Sequence, residues 1–203
     1  IEKRIAETKL DALLSQMNPH FTFNAMNTIQ DFIISNDIDN SLLFISDLAK
    51  LMRLTLDNSA KKSITLEEEI SFLKTYIKLE NLRFGNRISV SIELDKAVDY
   101  HTRIPVMLLQ PFVENVFVHA FNENHPNPQL NITFTMKSNE LLECKIIDNG
   151  NGKASFSKLK LHESKALKLA EERLKLIQPE IENPITINFT ENNGTIVLIL
   201  LQI

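Results

Sequence analysis

The sequence has one cysteine, four glycines and no tryptophan in 203 residues. A lone thiol, Cys144, excludes an internal disulfide framework and fits a reducing compartment. It lies in an apolar, strand-like run, which reads as a buried structural thiol and not as a nucleophile. So few glycines exclude a collagenous or loop-dominated chain. There is no basic run: 22 Lys and Arg against 26 Asp and Glu leave a formal charge of −4 spread over both halves, and a nucleic-acid partner is not expected. No stretch reaches the roughly 18–20 continuous apolar residues that a membrane helix needs. The charged, helical N-terminus has no signal-peptide core. The chain opens at Ile1, inside a helical pattern, and is read as a fragment of something longer. What is present, 43% hydrophobic and 24% charged residues, is the make-up of a folded protein long enough for one large or two small domains.

One stretch breaks the rules of the element it sits in. Residues 1–34 have helical periodicity, with Leu10, Leu13, Leu14, Met17 and Phe21 on one stripe. Yet Gln16 to Asn27 contains Pro19, three asparagines and His20. Pro19 predicts a local bend, and the asparagines can satisfy the freed backbone groups. His20 falls at the margin of the apolar stripe, and a neutral imidazole nitrogen is available there as a nucleophile. A polar kink without chemistry is the competing reading. After a polar turn at 36–40, a second helix carries Leu42, Ile45, Leu48, Ala49, Met52 and Leu56 as its apolar face. A hairpin of two amphipathic helices cannot bury both its faces alone, which predicts a homodimer built as a four-helix bundle; docking on the rest of the chain is the alternative.

Beyond a polar linker at 57–63, Thr65-Leu66-Glu67-Glu68 reads as a capping box opening a helix to about Arg83. A strand is expected at 88–92, then a helix over 105–121 with Pro105 in its first turn. Strands at 130–136 and 141–147, a helix at 164–177, and strands at 185–189 and 195–201 complete the pattern. Asn192-Asn193-Gly194 signals a hairpin. Helices with mostly antiparallel strands around one sheet indicate an α+β sandwich. The domain boundary is placed between a hairpin at 1–60 and an α/β unit at 64–203.

Two further groups could carry chemistry. On the helix at 105–121, Val106, Leu109, Val113, Val116, Phe117 and Ala120 share one face, while Asn115 and His119 lie opposite, with Glu114 about 100° away. An amide oxygen and a carboxylate suit Mg²⁺, which is held by one or two protein ligands plus phosphates and water. Asp148-Asn149-Gly150-Asn151-Gly152 follows a buried strand and offers a carboxylate to an amine, with glycines allowing close approach. It is neither a Rossmann fingerprint nor a P-loop. Taken singly, a solvated helix face and a simple turn are the better explanations of the two groups.

In fixed order, however, the stretch 13–27, Leu109-Gln110-Pro111-Phe112-Val113-Glu114-Asn115-Val116-Phe117-Val118-His119-Ala120, and Asp148-Asn149-Gly150-Asn151-Gly152 resemble the LytS/YehU-type sensor histidine kinases. Tyr76-Ile77-Lys78-Leu79-Glu80-Asn81-Leu82-Arg83-Phe84 is similar to that family's Tyr-x-x-x-Glu-x-x-Arg-Phe signature. The resemblance implies a dimerising helical hairpin whose His20 accepts a phosphoryl group, followed by a catalytic domain of the GHKL fold binding ATP and Mg²⁺. It also implies that Asn115 holds the metal and Asp148 receives the adenine amine. Gly150 and Gly152 would shape the pocket, His119 would supply the basic group one turn on, and Glu114 would organise the metal or accept a proton. Arg83 matches the signature arginine without an implied role. The implied partners are a second copy and a response regulator of the LytTR type. The implied setting is the cytoplasmic part of a bacterial protein anchored in the membrane through an upstream region.

One departure stands out. The second glycine box expected before Arg173-Leu174 has Ser164 and Ala166 in the glycine places. Ser164 can still cap a helix whose first amides favour phosphate, and Lys158, Lys160 and Lys165 can contact phosphates. The loss of glycine keeps open a catalytically impaired, dimeric signalling module of the same fold. A chaperone- or repair-type GHKL ATPase fits less well, given the histidine-bearing hairpin.

Overall fold

The computed structural model describes residues 19–121, 125–151, 165–190 and 194–203, with the backbone alone for Pro19, His20, Lys165 and Ala166. Helices α1 (Pro19–Ile34) and α2 (Ile38–Ser59) form the hairpin. Asn36 takes a positive φ of 57° in the turn, and Asp37 caps α2 by accepting the Asn40 amide. The Leu10, Leu13, Leu14 and Met17 part of the expected stripe, the bend before Pro19 and the Asn192-Asn193 turn lie outside the described residues.

The second element group is built around α3 (Leu66–Arg83). Its capping box forms as the sequence predicts: Thr65 Oγ1 accepts the Glu68 amide at 3.2 Å, and the Glu68 carboxylate accepts the Thr65 amide at 2.9 Å. Strand β1 (Ser63–Thr65) leads into α3 and pairs antiparallel with β3 (Arg103–Pro105). This small ribbon replaces the end of the expected linker, because Ile64 and Ile104 are apolar enough to be buried within it. The main sheet has the order β2 (Ser89–Leu94), β4 (Gln129–Ser138), β5 (Leu141–Asp148), β7 (Thr195–Gln202), β6 (Ile185–Phe189). Only β2–β4 is parallel; the other three pairings are antiparallel. One face of β4 and β5 buries Leu130, Ile132, Phe134, Leu142, Cys144 and Ile146, so Cys144 is the buried thiol expected, its pKa pushed up by burial. The α+β class with a mixed, mostly antiparallel sheet therefore holds.

Two expectations need correction. The helix expected over 105–121 begins only at Gln110, as α4 (Gln110–Asn115), followed by one π-helical turn, Val116–Ala120. Pro105 ends β3, and the helix-opening proline is Pro111. A proline lacks the amide a ladder interior needs but suits a strand end, so Pro105 is satisfied there. The six residues of the expected apolar face are nonetheless all buried.

The packed face of α2 also differs. Ser41, Phe44, Leu51, Thr55 and Asn58 are buried, while Leu42 and Leu56 stand 62% and 41% exposed. The hairpin docks on α3 through Phe44, Leu51 and Phe21, which join one core with the residues of α3. Polar residues can occupy that seam because they are locally satisfied, as when Thr55 Oγ1 donates to the Leu51 carbonyl at 2.9 Å. Lys78 pairs with the largely buried Asp47 across the same seam at 2.7 Å. Docking, the alternative to dimerisation, is thus present, and it leaves the other apolar stripe uncovered.

Between β3 and α4 the turn 106–109 is held by a fully buried carboxyl. Glu69 Oε1 accepts the Leu109 amide at 3.0 Å, and the Met107 amide also points to this carboxyl. Burial pushes the Glu69 pKa from 4.5 up to about 7, against the pull of those two amides and of Arg173. The folded state keeps this proton where the unfolded chain has released it. The associated stability is complete below pH 4.5 and is lost as pH rises through about 7. That interval corresponds to about 3 kcal/mol. Urea unfolding between about pH 5 and 8 should show the decline, and Glu69→Gln, which keeps an acceptor without the ionisation, should flatten it.

Candidate functional site

The site is assembled where the helical turn after Asn115 meets the end of β5. Asn115 closes α4, half-buried, and the chain widens into the π turn Val116–Ala120, a device that recurs where a helix must aim side chains at a site. Val116, Phe117 and Ala120 are buried inward; His119 is exposed on the outer side of the turn. Phe121 then leaves in an extended conformation. The Ala120 carbonyl, at the open end of the turn, accepts the Asn151 amide at 2.9 Å.

That bond brings the Asp148–Asn151 turn against the helix end, and it demands a glycine. A Cβ built on Gly150 would sit 2.2 Å from the Ala120 oxygen and 2.6 Å from its carbonyl carbon. Gly194 crowds the same corner, where a Cβ would fall 2.2 Å from the Asp148 oxygen. Between them, the Asp148 carboxylate is 3% exposed. Its Oδ1 accepts the amides of Gly150 at 2.9 Å and Thr195 at 3.3 Å. Burial raises its pKa, and these two amides, with the Thr195 hydroxyl and His125, oppose that rise. A buried acceptor held in a fixed orientation is suited to an exocyclic amine. Asn149 braces the turn from outside: its Oδ1 accepts the Gln129 amide at 2.7 Å, its Nδ2 donates to the Asn127 carbonyl at 2.7 Å, and His125 Nε2 lies 3.0 Å from its carbonyl.

Behind α4 stands the block Tyr76 to Phe84 on α3. Tyr76 packs edge-on against Phe117 with centroids 6.1 Å apart, and Phe84 reaches Phe117 at 6.1 Å. Arg83 pairs with the buried Glu80 and lies 4.7 Å from the Phe84 ring centroid. Burial, then the carboxylates of Glu80 and Glu114, drive the Tyr76 pKa well up. Tyr76 also touches Phe21, with ring centroids 5.4 Å apart. Phe21 is the residue after His20, and α1 therefore reaches the Asn115 turn through three rings in contact, one pair tilted and the other edge-on.

A family model described as Histidine kinase matches residues 8–88. The sensor protein LytS of Enterococcus faecalis is 32% identical over 150 residues, 74% of this chain and 25% of that protein. LytS of Staphylococcus saprophyticus is 32% identical over 148 residues, 73% of this chain and 24% of that protein. The Staphylococcus aureus sensor histidine kinase/phosphatase LytS is 29% identical over 161 residues, 79% and 26% of the two chains. This chain belongs to the LytS-type sensor histidine kinases. It spans about a quarter of the length of the curated relatives it matches. The fold agrees. The histidine kinase domain of a blue-light-activated kinase from Erythrobacter litoralis superposes with a TM-score of 0.52 at 19% identity, over 78% of this chain and 74% of that one. A bacterial phosphotransferase gives 0.53 at 14% identity, over 93% and 94%.

Set in this LytS-type core, Asp148, Gly150 and the Asn115–His119 turn come together at one corner of the sheet. Gly152, Lys158, Lys160 and Ser164 lie outside the described residues. Lys165 opens α5 (Lys165–Ile177), and His20 lies in the first turn of α1 as described. No helix among the described residues is long and apolar enough to cross a membrane. Two residues escaped the sequence reading. Glu69 is one of three glutamates in the first turn of α3, and of these Glu67 and Glu68 are exposed and Glu69 is buried. Its helical phase, in line with Leu66, Leu73 and Tyr76, was the available signal. Arg173 was legible only as a family marker.

Gly150→Ala should cost about 1–3 kcal/mol, since backbone and not a flexible side chain must yield. Urea unfolding measures that loss, and nucleotide affinity should fall with it.

Proposed function

We propose that this chain is the kinase core of a two-component sensor, transferring the terminal phosphoryl group of ATP to His20 and then to an aspartate of a response regulator. The observation that carries the reading is the ring contact Phe21–Tyr76–Phe117, which links the helix of His20 to the turn of Asn115. A nucleotide-binding domain alone has no need to hold a histidine-bearing helix there.

The residues present fit a magnesium nucleotide. Among the described residues no group of three acidic, histidine or cysteine side chains could enclose a metal. The half-buried Asn115 amide offers one hard oxygen, the sparse protein ligation Mg²⁺ accepts when phosphates complete its shell. When bound, the ion would neutralise phosphate charge. Asp148 would receive the adenine amine, Gly150 and Gly152 would admit the base, and His119 and Lys165 would contact phosphates. An imidazole nitrogen of His20 forms the new N–P bond as the bond from phosphorus to the bridging oxygen breaks and ADP leaves. The imidazole proton goes to a base, for which Glu114 is the candidate. Glu114 also stands beside the metal position in sequence.

Partners follow from what the hairpin leaves exposed. Phe23, Met26, Ile34, Leu42, Ile45 and Leu56 are each more than 40% exposed on α1 and α2. A second copy covering this stripe gives a four-helix bundle. A response regulator of the LytTR type would be the phosphoryl acceptor, and the chain would be the cytoplasmic part of a protein anchored upstream.

Incubation with labelled Mg·ATP should give acid-labile, base-stable label that is lost in His20→Gln and Asn115→Ala. Label surviving His20→Gln would show another acceptor, and nucleotide binding without label would remove the kinase reading. Sedimentation at micromolar concentration should show a dimer that Leu42→Glu with Ile45→Glu converts to monomer.

A further inference from the structure

The turn 106–109, from which α4 departs, is gripped from two sides by side chains distant in sequence. From α3, Glu69 Oε1 accepts the Leu109 amide at 3.0 Å. From α5, the Arg173 guanidinium donates to the Val106 carbonyl at 2.7 Å through one nitrogen and to the Lys62 carbonyl at 3.2 Å through the other. The carbonyl of Lys62 also accepts the Val106 amide at 3.5 Å. Val106 is thus fastened at both its amide and its carbonyl, and Met107, next in the chain, has a positive φ of 52°. A methionine in that region costs conformational energy and persists only where its surroundings impose it. Leu109, at the N-cap position, has no capping side chain of its own. Pro111 favours a helix here, but the conformation of the turn before it is held by Glu69 and Arg173.

The consequence lies only six residues on. Helix α4 spans Gln110–Asn115, so any shift or rotation at its first turn is delivered to Asn115 with little helix to absorb it.

We propose that Arg173 is a positioning residue: by tying α5 to the Lys62 and Val106 carbonyls, it fixes the turn that aims Asn115 at the metal-bound phosphates. The inference rests on the reading of Asn115 as the metal-holding residue. It gives Arg173 a task unrelated to phosphate contact, since its donors are turned onto main-chain carbonyls. A planar, two-pronged donor suits this task, and a lysine ammonium is a poorer match.

The test separates the metal-dependent from the metal-independent part of nucleotide binding. Calorimetry would give the Kd for ATP with and without Mg²⁺ for the unmodified chain, Arg173→Ala, Arg173→Lys and Asn115→Ala. In Arg173→Ala the strengthening by Mg²⁺ should shrink about tenfold, the low end of what removing support behind a metal ligand costs. Metal-free affinity, governed by the Asp148 corner, should stay within about twofold, and Arg173→Lys should recover part of the loss. Hydrogen exchange should quicken at the Met107 and Leu109 amides and stay unchanged at Cys144 and Ile146. Equal losses with and without metal, or faster exchange throughout the sheet, would mean a purely structural arginine and overturn the proposal. So would an unchanged metal effect in Arg173→Ala while Asn115→Ala abolishes it. If Asn115→Ala itself leaves the metal effect intact, it is the reading of Asn115 that fails.

Discussion

Tyr76 touches two aromatic rings, Phe21 at 5.4 Å and Phe117 at 6.1 Å, and is itself 2% exposed. Tilted and edge-on ring pairs of this kind add about 0.5–1.5 kcal/mol each to the apolar burial. Their larger effect is geometric. The helix that supplies Tyr76 buries eleven of its eighteen residues, so it has almost no free surface along which to slide. The hairpin rests on one side of it and the Asn115 turn on another. Displacing the histidine-bearing helix therefore means unpacking Tyr76, and Tyr76 cannot be unpacked without disturbing Phe117.

Polar groups divide the work with this core. Burying Glu69 is unfavourable when it ionises, and replacing such a group with an apolar one often stabilises a protein. It is present where the backbone takes a shape that α4 cannot dictate for itself. The same logic holds at Asp148, whose carboxylate is costly to bury and is held by two amides where an amine could meet it. At both places a carboxyl is buried against its own preference and is held by main-chain amides that shape a turn.

Much of this was legible in the residues. The capping box at Thr65, the alternation of β4 and β5 and the buried thiol follow from local pattern, because each depends on neighbours two to four positions away. The motif residues were legible as a set only through their order along the chain. What was not legible was long-range. Pro105 and Pro111 are equally good helix openers by local rules, and the choice was made by pairing of β3 with β1, forty residues back. The face of α2 that packs on α3 carries Ser41, Thr55 and Asn58, so a hydrophobic count finds the more apolar, exposed stripe and not the docked one. Glu69 and Arg173 come to the same turn from positions about a hundred residues apart, and although the helical phase of Glu69 signals its burial, nothing local names the turn that the two share.

The widened turn at Val116–Ala120 carries a constraint of another kind. A π turn takes in one more residue than an α turn of the same reach. Chain length between Asn115 and Phe121 is thus part of the design, independently of which side chains fill it. Deleting a single residue there would let the segment revert to ordinary helix and swing the Ala120 carbonyl away from the Asn151 amide. Every side chain named at the site could remain, and the corner would still come apart.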